Sequence, residues 1–155
     1  RCPAYFAQAF ERVFPDGLEN YRQAPLTEAL IHGDLYYDNT LFKDEKLVSF
    51  IDFEQSGYGE ALLDVGISIS GSCLKNGLID FSLVKSFLEG YQSERPFPEE
   101  EHKLLRDAIN LGFFSISLWR IERFLEGDLD PQKAESYKEL LDKAEDFTKR
   151  APSEF

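Results

Sequence analysis

Hydrophobic residues recur at helical spacing over most of the chain. Residues 3–14 carry this pattern and begin with Pro3, which suits the first turn of a helix, so we predict a helix there. The turn-forming residues 15–17 end it. The same spacing predicts four further helices, at residues 61–74, 81–93, 98–125 and 131–149.

One predicted helix is apolar on nearly all sides. Between Leu104 and Leu125 the apolar residues cover almost the whole helix circumference. A helix of this kind normally lies at the buried centre of a helical domain. We therefore expect Trp119 to pack in the core and not to bind a ligand.

Segments with extended character interrupt the helices before residue 60. Residues 40–43 and 47–51 favour two strands joined at residues 44–46, and a short extended piece at 29–31 precedes them. A loop containing two glycines is expected after the second strand, around residues 57–59.

Together these patterns define the fold class. We predict a mainly α (α+β) protein, a helical bundle with one inserted β-hairpin, in a single domain over residues 1–155. The 43% content of hydrophobic residues is that of a globular domain with a buried core.

Polar residues flank the predicted hairpin at its open end. If the tight turn lies at Glu45 and Lys46, the pairing places Asn39 opposite Asp52, and a three-residue turn shifts this by one residue. In both cases an amide oxygen and a carboxylate converge near one point. Such oxygen ligands suit Mg²⁺, so Asn39 and Asp52 are the candidate metal ligands.

A third polar residue stands on the loop that leads to the hairpin. Asp34 lies five residues before Asn39, where it can accept a proton from a substrate hydroxyl that attacks phosphorus. Asp34 is therefore the candidate catalytic residue. The structural alternative makes Asp34 and Asn39 turn residues and Asp52 a cap at the end of a strand. For Asp38 and Glu54 two roles are possible from the sequence. Each could contact the substrate or the metal shell, and each could instead cap a turn.

The net charge and the cysteine content limit the kinds of partner and the location that we expect for this protein. The net charge of −12 leaves no basic stripe for a phosphate backbone, so no nucleic acid partner is expected. The acidity fits solvated helix faces, and alternatively attraction of cationic substrates or Mg²⁺. Two cysteines, no signal peptide and no apolar run near 18 residues point to a cytoplasmic protein without a membrane partner.

The polar motifs resemble those of a known enzyme superfamily. The sequence H-G-D-L-Y-Y-D-N at residues 32–39 and I-D-F-E at residues 51–54 resemble the aminoglycoside phosphotransferase and choline kinase superfamily. Gly33 and Glu54 depart from the protein-kinase versions of these motifs. The resemblance implies the C-terminal lobe of a protein-kinase-like fold, with ATP as co-substrate and Mg²⁺ as cofactor. It also implies structural roles for His32 and for Asp64, which braces the loop that carries Asp34.

Within the superfamily, the segment D-L-Y-Y-D-N-T-L-F at residues 34–42 is most similar to homoserine kinases of the bacterial ThrB type. This likeness makes homoserine the first candidate for the small-molecule hydroxyl substrate. Choline or ethanolamine, an amino sugar and an aminoglycoside remain the alternatives.

The segment before the motif bears on what the chain can do alone. The 31 residues before His32 contain one glycine and no glycine-rich motif for ATP phosphates. The chain also begins at Arg1 and contains no Met. We therefore expect the C-lobe of a longer kinase, inactive by itself, whose N-terminal lobe is its partner. The alternative is a non-catalytic pseudo-kinase or binding module.

Overall fold

A computed structural model describes residues 3–152. Seven α-helices are found in this part of the chain: α1 Ala4–Val13, α2 Glu19–Gln23, α3 Ala61–Ser72, α4 Phe81–Glu94, α5 Glu99–Lys103, α6 Leu105–Glu126 and α7 Ser136–Arg150. The strands that it describes are β1 Glu28–Ile31, β2 Thr40–Lys43, β3 Lys46–Phe50, β4 Gly57–Glu60, β5 Leu74–Lys75 and β6 Leu78–Ile79. They pair antiparallel as β1–β4, β2–β3 and β5–β6. The mainly helical class is confirmed.

Helix α6 lies at the centre of the helical part, between α3 and α7. Its residues Ile109 and Phe113 are fully buried, as is Phe147 on α7. Helix α1 packs on α7 and also reaches α6, where its Phe6 and Phe10 make edge-on ring contacts with Phe114. Burial of these large side chains supplies most of the stabilisation of the bundle. None of the helices in residues 3–152 is both long and apolar enough to span a membrane.

The long helix predicted at 98–125 is two helices. Helix α5 ends at Lys103, and α6 begins after a tight turn in which the Leu104 N–H donates to the Glu101 carbonyl (3.0 Å). The buried Glu101 carboxylate accepts the Thr27 N–H (2.5 Å), which ties α5 to the segment before β1. Hydrophobic periodicity does not predict this long-range contact.

The expectation that Trp119 packs in the core is wrong. Its side chain is 48% exposed, and the Arg123 guanidinium lies 5.4 Å from the centre of its ring. Although α3 and α7 both pack on α6, the neighbouring Leu118 is 45% exposed as well, so this part of α6 is open to solvent. An apolar circumference therefore did not imply burial on every side.

The loop predicted around residues 57–59 contains a strand, β4. It pairs with β1 in the register Ile31 to Gly57 and Glu28 to Glu60. A Cβ on Gly59 would lie 2.9 Å from the Ile31 side chain, so the small residue allows this close pairing. The pairing delivers the chain directly into α3.

The hairpin β2–β3 forms, but its turn differs from the predicted one. Lys43 faces Lys46, so the turn residues are Asp44 and Glu45 and not Glu45 and Lys46. Both have positive φ (49° and 61°), as in the mirror-image turns that match the twist of paired strands.

The register at the open end of the hairpin is also shifted. A bulge changes the pairing between Leu41 and Phe42, and the Ile51 N–H donates to the Asn39 carbonyl (3.0 Å). Asn39 therefore lies opposite Ile51 and not opposite Asp52. The earlier turn alone would shift the register by two residues, and the bulge takes back one of them, which leaves a net shift of one.

Candidate active site

The HGD loop, residues 32–39, is held by the helix that follows β4. It leaves β1, and Asp64 in the first turn of α3 accepts two of its backbone N–H groups. The Asp64 carboxylate oxygens lie 3.1 Å from the His32 nitrogen and 2.8 Å from the Gly33 nitrogen. Hydrogen bonds to a carboxylate are among the stronger ones, so Asp64 fixes the start of the loop. This arrangement supports the structural role proposed for Asp64.

His32 connects the loop to the segment that carries Asp52. The Asp34 N–H points at His32 Nδ1 (3.3 Å), which makes Nδ1 the acceptor. The other nitrogen, Nε2, then donates to the Ile51 carbonyl (2.9 Å). The ring is buried and contacts Phe53, with 4.7 Å between ring centres. With both nitrogens engaged, His32 holds two segments together and is not free to act as a base.

Gly33 brings the HGD loop against the turn that follows Asp52. Its φ is +80°, in the left-handed region, and a Cβ there would lie 2.5 Å from the Gln55 carbonyl oxygen. Only glycine fits both the backbone conformation and this contact.

Asp34 and Asn39 are joined directly. The Asn39 amide nitrogen donates to the Asp34 carbonyl (2.7 Å) and to its carboxylate (3.1 Å). Burial raises the pKa of Asp34, and the nearby charges of Asp52 and Asp38 raise it further, while the Asn39 hydrogen bond opposes them. Because the amide nitrogen faces Asp34, the amide oxygen of Asn39 is directed away from that carboxylate.

Asp52 stands at the end of β3 in an unusual backbone conformation. Its φ of 63° places it in the left-handed region, directly before a short 3₁₀ turn, Phe53–Gln55. The side chain is exposed, as are those of Asp38 and Glu54 on neighbouring short turns. A non-glycine residue at positive φ stores strain of the kind found at functional sites.

These side chains fit the donor set that Mg²⁺ prefers. The Asn39 amide oxygen and the exposed Asp52 carboxylate come from adjacent positions at the open end of the hairpin. Mg²⁺ usually takes one or two protein carboxylates and completes its shell with phosphate and water. Within residues 3–152 no group of three or more His, Cys, Asp or Glu side chains converges on a point. A site with two protein ligands is consistent with that finding.

An apolar surface adjoins these polar residues. Several apolar side chains of the hairpin and of the following turn are exposed, with Val48 at 60% and Phe53 at 56%. We call this surface the hairpin patch; its members are Leu41, Phe42, Leu47, Val48, Phe50, Ile51 and Phe53. Contiguous exposed apolar residues on a folded protein usually mark a surface that another molecule or domain covers.

Sequence reasoning missed one residue of the loop. The Tyr36 ring lies on α3, against Gly71. The available signal was an aromatic residue within the motif between Asp34 and Asp38. Burial raises the pKa of the Tyr36 hydroxyl, and the nearby charges of Asp34 and Asp38 raise it further.

Similarities to known proteins agree with this geometry. The sequence model of the family described as "Phosphotransferase enzyme family" matches residues 3–105, which include the HGD loop, the hairpin and α3. The homoserine kinase of Polaromonas naphthalenivorans is 34% identical over 106 residues, 67% of this chain and 33% of that protein. The homoserine kinase of Janthinobacterium sp. is 29% identical over 118 residues, 75% of this chain and 36% of that protein.

A third relative, the homoserine kinase of Paraburkholderia xenovorans, is 30% identical over 111 residues, 65% of this chain and 34% of that protein. The chain thus spans about a third of the length of these curated relatives. The predicted likeness to the superfamily and to its homoserine kinases is confirmed. Because the family model matches 103 of its 155 residues, the chain belongs to the phosphotransferase enzyme family.

Proposed function

We propose that this chain is the C-lobe of a kinase that transfers the γ-phosphate of ATP to a hydroxyl of a small molecule. The observation that carries the proposal is the grouping of Asp34, Asn39 and Asp52 at the open end of the hairpin. The first two are hydrogen-bonded, and the charge of Asp52 acts on Asp34. Phosphoryl transfer needs such a carboxylate beside oxygen ligands for the metal that bridges the phosphates.

Each residue has a distinct role in this proposal. The Asp34 carboxylate orients the substrate hydroxyl and accepts its proton as the oxygen attacks phosphorus, and its raised pKa strengthens it as a base. The Asn39 oxygen and the Asp52 carboxylate hold Mg²⁺, which neutralises charge on the phosphates when it is bound. His32 and Asp64 keep the two segments in place. Asp38 and Glu54 border this site and are the next candidates for contacts to substrate or metal.

Homoserine is the first substrate candidate. The relatives reported above are homoserine kinases. The match to the family model covers the HGD loop. An amino sugar, an aminoglycoside, choline and ethanolamine are the other candidates, because each offers a hydroxyl on a cationic small molecule. A substrate screen across these compounds with the full-length protein distinguishes them.

The hairpin patch supports a second lobe in the complete enzyme. It is apolar and exposed beside the proposed phosphate site, and the chain spans a third of its relatives. We propose that the N-terminal lobe and the nucleotide cover this patch together.

Replacement of the proposed base tests the function. In the full-length protein, Asp34→Asn is expected to lower kcat by about 10³-fold, in the range that general bases contribute, while the Kd for Mg-ATP changes less than threefold. The matched control is Asp44→Asn, since Asp44 is an exposed carboxylate in the turn at the far end of the hairpin. It should retain wild-type turnover. Turnover of Asp34→Asn at the wild-type rate would remove Asp34 from the role of base.

Calorimetry and the substrate screen together test the non-catalytic alternative. A full-length protein that binds Mg-ATP by calorimetry but phosphorylates none of the candidate substrates would be a pseudo-kinase. Heat from the full-length protein together with no heat from residues 1–155 would support the account of a separated C-lobe.

A further inference from the structure

The HGD loop is attached to α3 at two points. Asp64 holds its first residues through the N–H groups of His32 and Gly33. The second point is Tyr36, whose ring lies so close to α3 that a Cβ on Gly71 would fall 1.6 Å from its Cδ1 atom. Asp64 and Gly71 are seven residues apart, so they lie on one face of α3, about 10 Å apart along its axis. The loop crosses α3 between these two points.

The second attachment includes a hydrogen bond. The Tyr36 hydroxyl bonds with Ser70, which is 2% exposed. The Ser70 hydroxyl also donates to the Ile67 carbonyl (2.8 Å), so two contacts fix its position beside Tyr36. Helix α6 keeps Ser70 in place, because a Cβ on Gly112 would lie 2.6 Å from its Oγ. The hydroxyl of Tyr36 therefore meets a fixed partner.

The backbone of Tyr36 connects this attachment to the proposed catalytic pair. Its N–H donates to the Asp34 carbonyl, and its own carbonyl accepts the Asn39 N–H, both at 3.0 Å. The Asp34 carbonyl also accepts the Asn39 amide nitrogen at 2.7 Å. A movement of Tyr36 would thus change the positions of both Asp34 and Asn39.

We propose that Tyr36 is a positioning residue, which through its seat on Gly71 and its bond to Ser70 sets the place of Asp34 and Asn39. This inference rests on the proposed phosphotransferase function for its effect on catalysis. It does not require that Tyr36 contact a substrate. The effect on the rate follows because small displacements of a base lower turnover more than they lower binding.

Enzyme kinetics of conservative variants test the proposal in the full-length protein. Tyr36→Phe keeps the ring and removes the hydroxyl, and we expect kcat to fall about tenfold with KM for ATP changed less than twofold. Ser70→Ala should give the same loss, and the double variant should lose no more than either single one, because both remove one bond. Tyr58→Phe is the matched control, since Tyr58 is 76% exposed on β4. It should keep wild-type kcat and KM.

A pair of glycine variants tests the packing of the ring. Gly71→Ala places a methyl group where the Tyr36 ring lies and should lower kcat by about 100-fold. Gly90→Ala on α4 is its control, because a Cβ there meets nothing within 4 Å. If Gly71→Ala fails to fold, the kinetics of Tyr36→Phe and Ser70→Ala test whether Tyr36 positions Asp34 and Asn39.

Amide hydrogen exchange separates this inference from the proposed function. In Tyr36→Phe, the amides of Tyr36 and Asn39 should exchange at least fivefold faster, whereas that of Gly33, bound to Asp64, should change less than twofold. A wild-type protein that phosphorylates no candidate substrate would overturn the proposed function, and faster exchange would still support the attachment. Unchanged exchange, or unchanged kcat in an active enzyme, would overturn the role of Tyr36.

Discussion

Asp34 combines two opposing requirements within one side chain. Its proposed role needs a carboxylate, yet burial and the charges of Asp52 and Asp38 favour the protonated form. The Asn39 hydrogen bond offsets only part of this, since the net direction of the pKa is upward. The ionised form that the chemistry needs is thus the form that the fold disfavours.

Stability should therefore improve when Asp34 loses its charge. Its pKa in the folded protein lies above that in the unfolded chain, so between the two values the folded state binds more protons, and stability falls as pH rises through that window. Asp34→Asn removes this loss. We expect a higher Tm than wild type at pH 7, with a difference that shrinks as the pH approaches about 4, near the unfolded value. A thermal melting series over pH measures it.

The control for this series is again Asp44→Asn, whose Tm should differ from wild type by the same small amount at every pH. A lower Tm for Asp34→Asn at pH 7 would show that its hydrogen bonds with Asn39 outweigh the cost of the buried charge.

Gly33 is constrained both by its backbone and by its neighbour. In Gly33→Ala the backbone would be strained by its positive φ, and the added Cβ would lie 2.5 Å from the Gln55 carbonyl oxygen. We therefore expect the free energy of unfolding to fall by about 3 kcal/mol. Gly77 has the same φ of +80° but open space around it, so Gly77→Ala should cost about 1 kcal/mol. Urea unfolding of both variants gives the comparison. Equal losses would mean that the turn at Gln55 yields easily and that only the backbone matters.

At the scale of elements, the β2–β3 hairpin has a tight turn of suboptimal composition. Asp44 and Glu45 both adopt positive φ, which Asn and Gly accept at lower cost. The strands also expose apolar side chains of the hairpin patch, so little packing onto the helices holds the hairpin in place. The turn therefore contributes more to its stability than the turn of a packed hairpin would.

The double variant Asp44→Asn, Glu45→Gly should stabilise the protein by about 1 kcal/mol, because it relieves the strain at both positions. The control Glu122→Gly, at an exposed position in α6, should instead destabilise it by about 1 kcal/mol. Urea unfolding measures both changes. A destabilised hairpin variant would show that the turn geometry differs from the one described above.

Helix α3 contacts both the HGD loop and the core. Its first turn supplies Asp64, its last turn supplies the seat for Tyr36, and its other side packs on α6. The position of the HGD loop therefore depends on the same helix that joins the site to the core.

At the scale of the whole molecule, the segment matched by the family ends at Leu105, but the core does not. Helices α6 and α7 follow that segment and bury Phe113 and Phe147 against the elements within it. Phe147 also stacks on Phe81 of α4, with 6.1 Å between ring centres. The site thus rests on a core to which both parts of the chain contribute.

Truncation of Phe147 tests this dependence. Phe147→Ala should lower the free energy of unfolding by about 3–5 kcal/mol, as expected for a fully buried aromatic residue. Phe124→Ala, at a side chain that is 39% exposed, should cost less than half as much. Chemical denaturation followed by circular dichroism measures both. Similar losses for the two variants would contradict the central position of the α6–α7 packing.

The sequence alone indicated the family and most of the elements. Hydrophobic periodicity is a local property, so it located α1, α3, α4 and the strands of the hairpin to within a few residues. The motif from Asp34 to Asn39, followed by Asp52, indicated the family, and both segments lie in the part of the chain that the family model matches.

The tertiary structure decided how these groups meet. The division at Leu104, the strand β4, the bulge in β2–β3 and the seat of Tyr36 on Gly71 all depend on partners far away in the chain. Hydrophobic periodicity and motif spacing give no information about such long-range contacts. Residue types thus indicate what a site needs, whereas the packing of α3 against the HGD loop and α6 determines where each group stands.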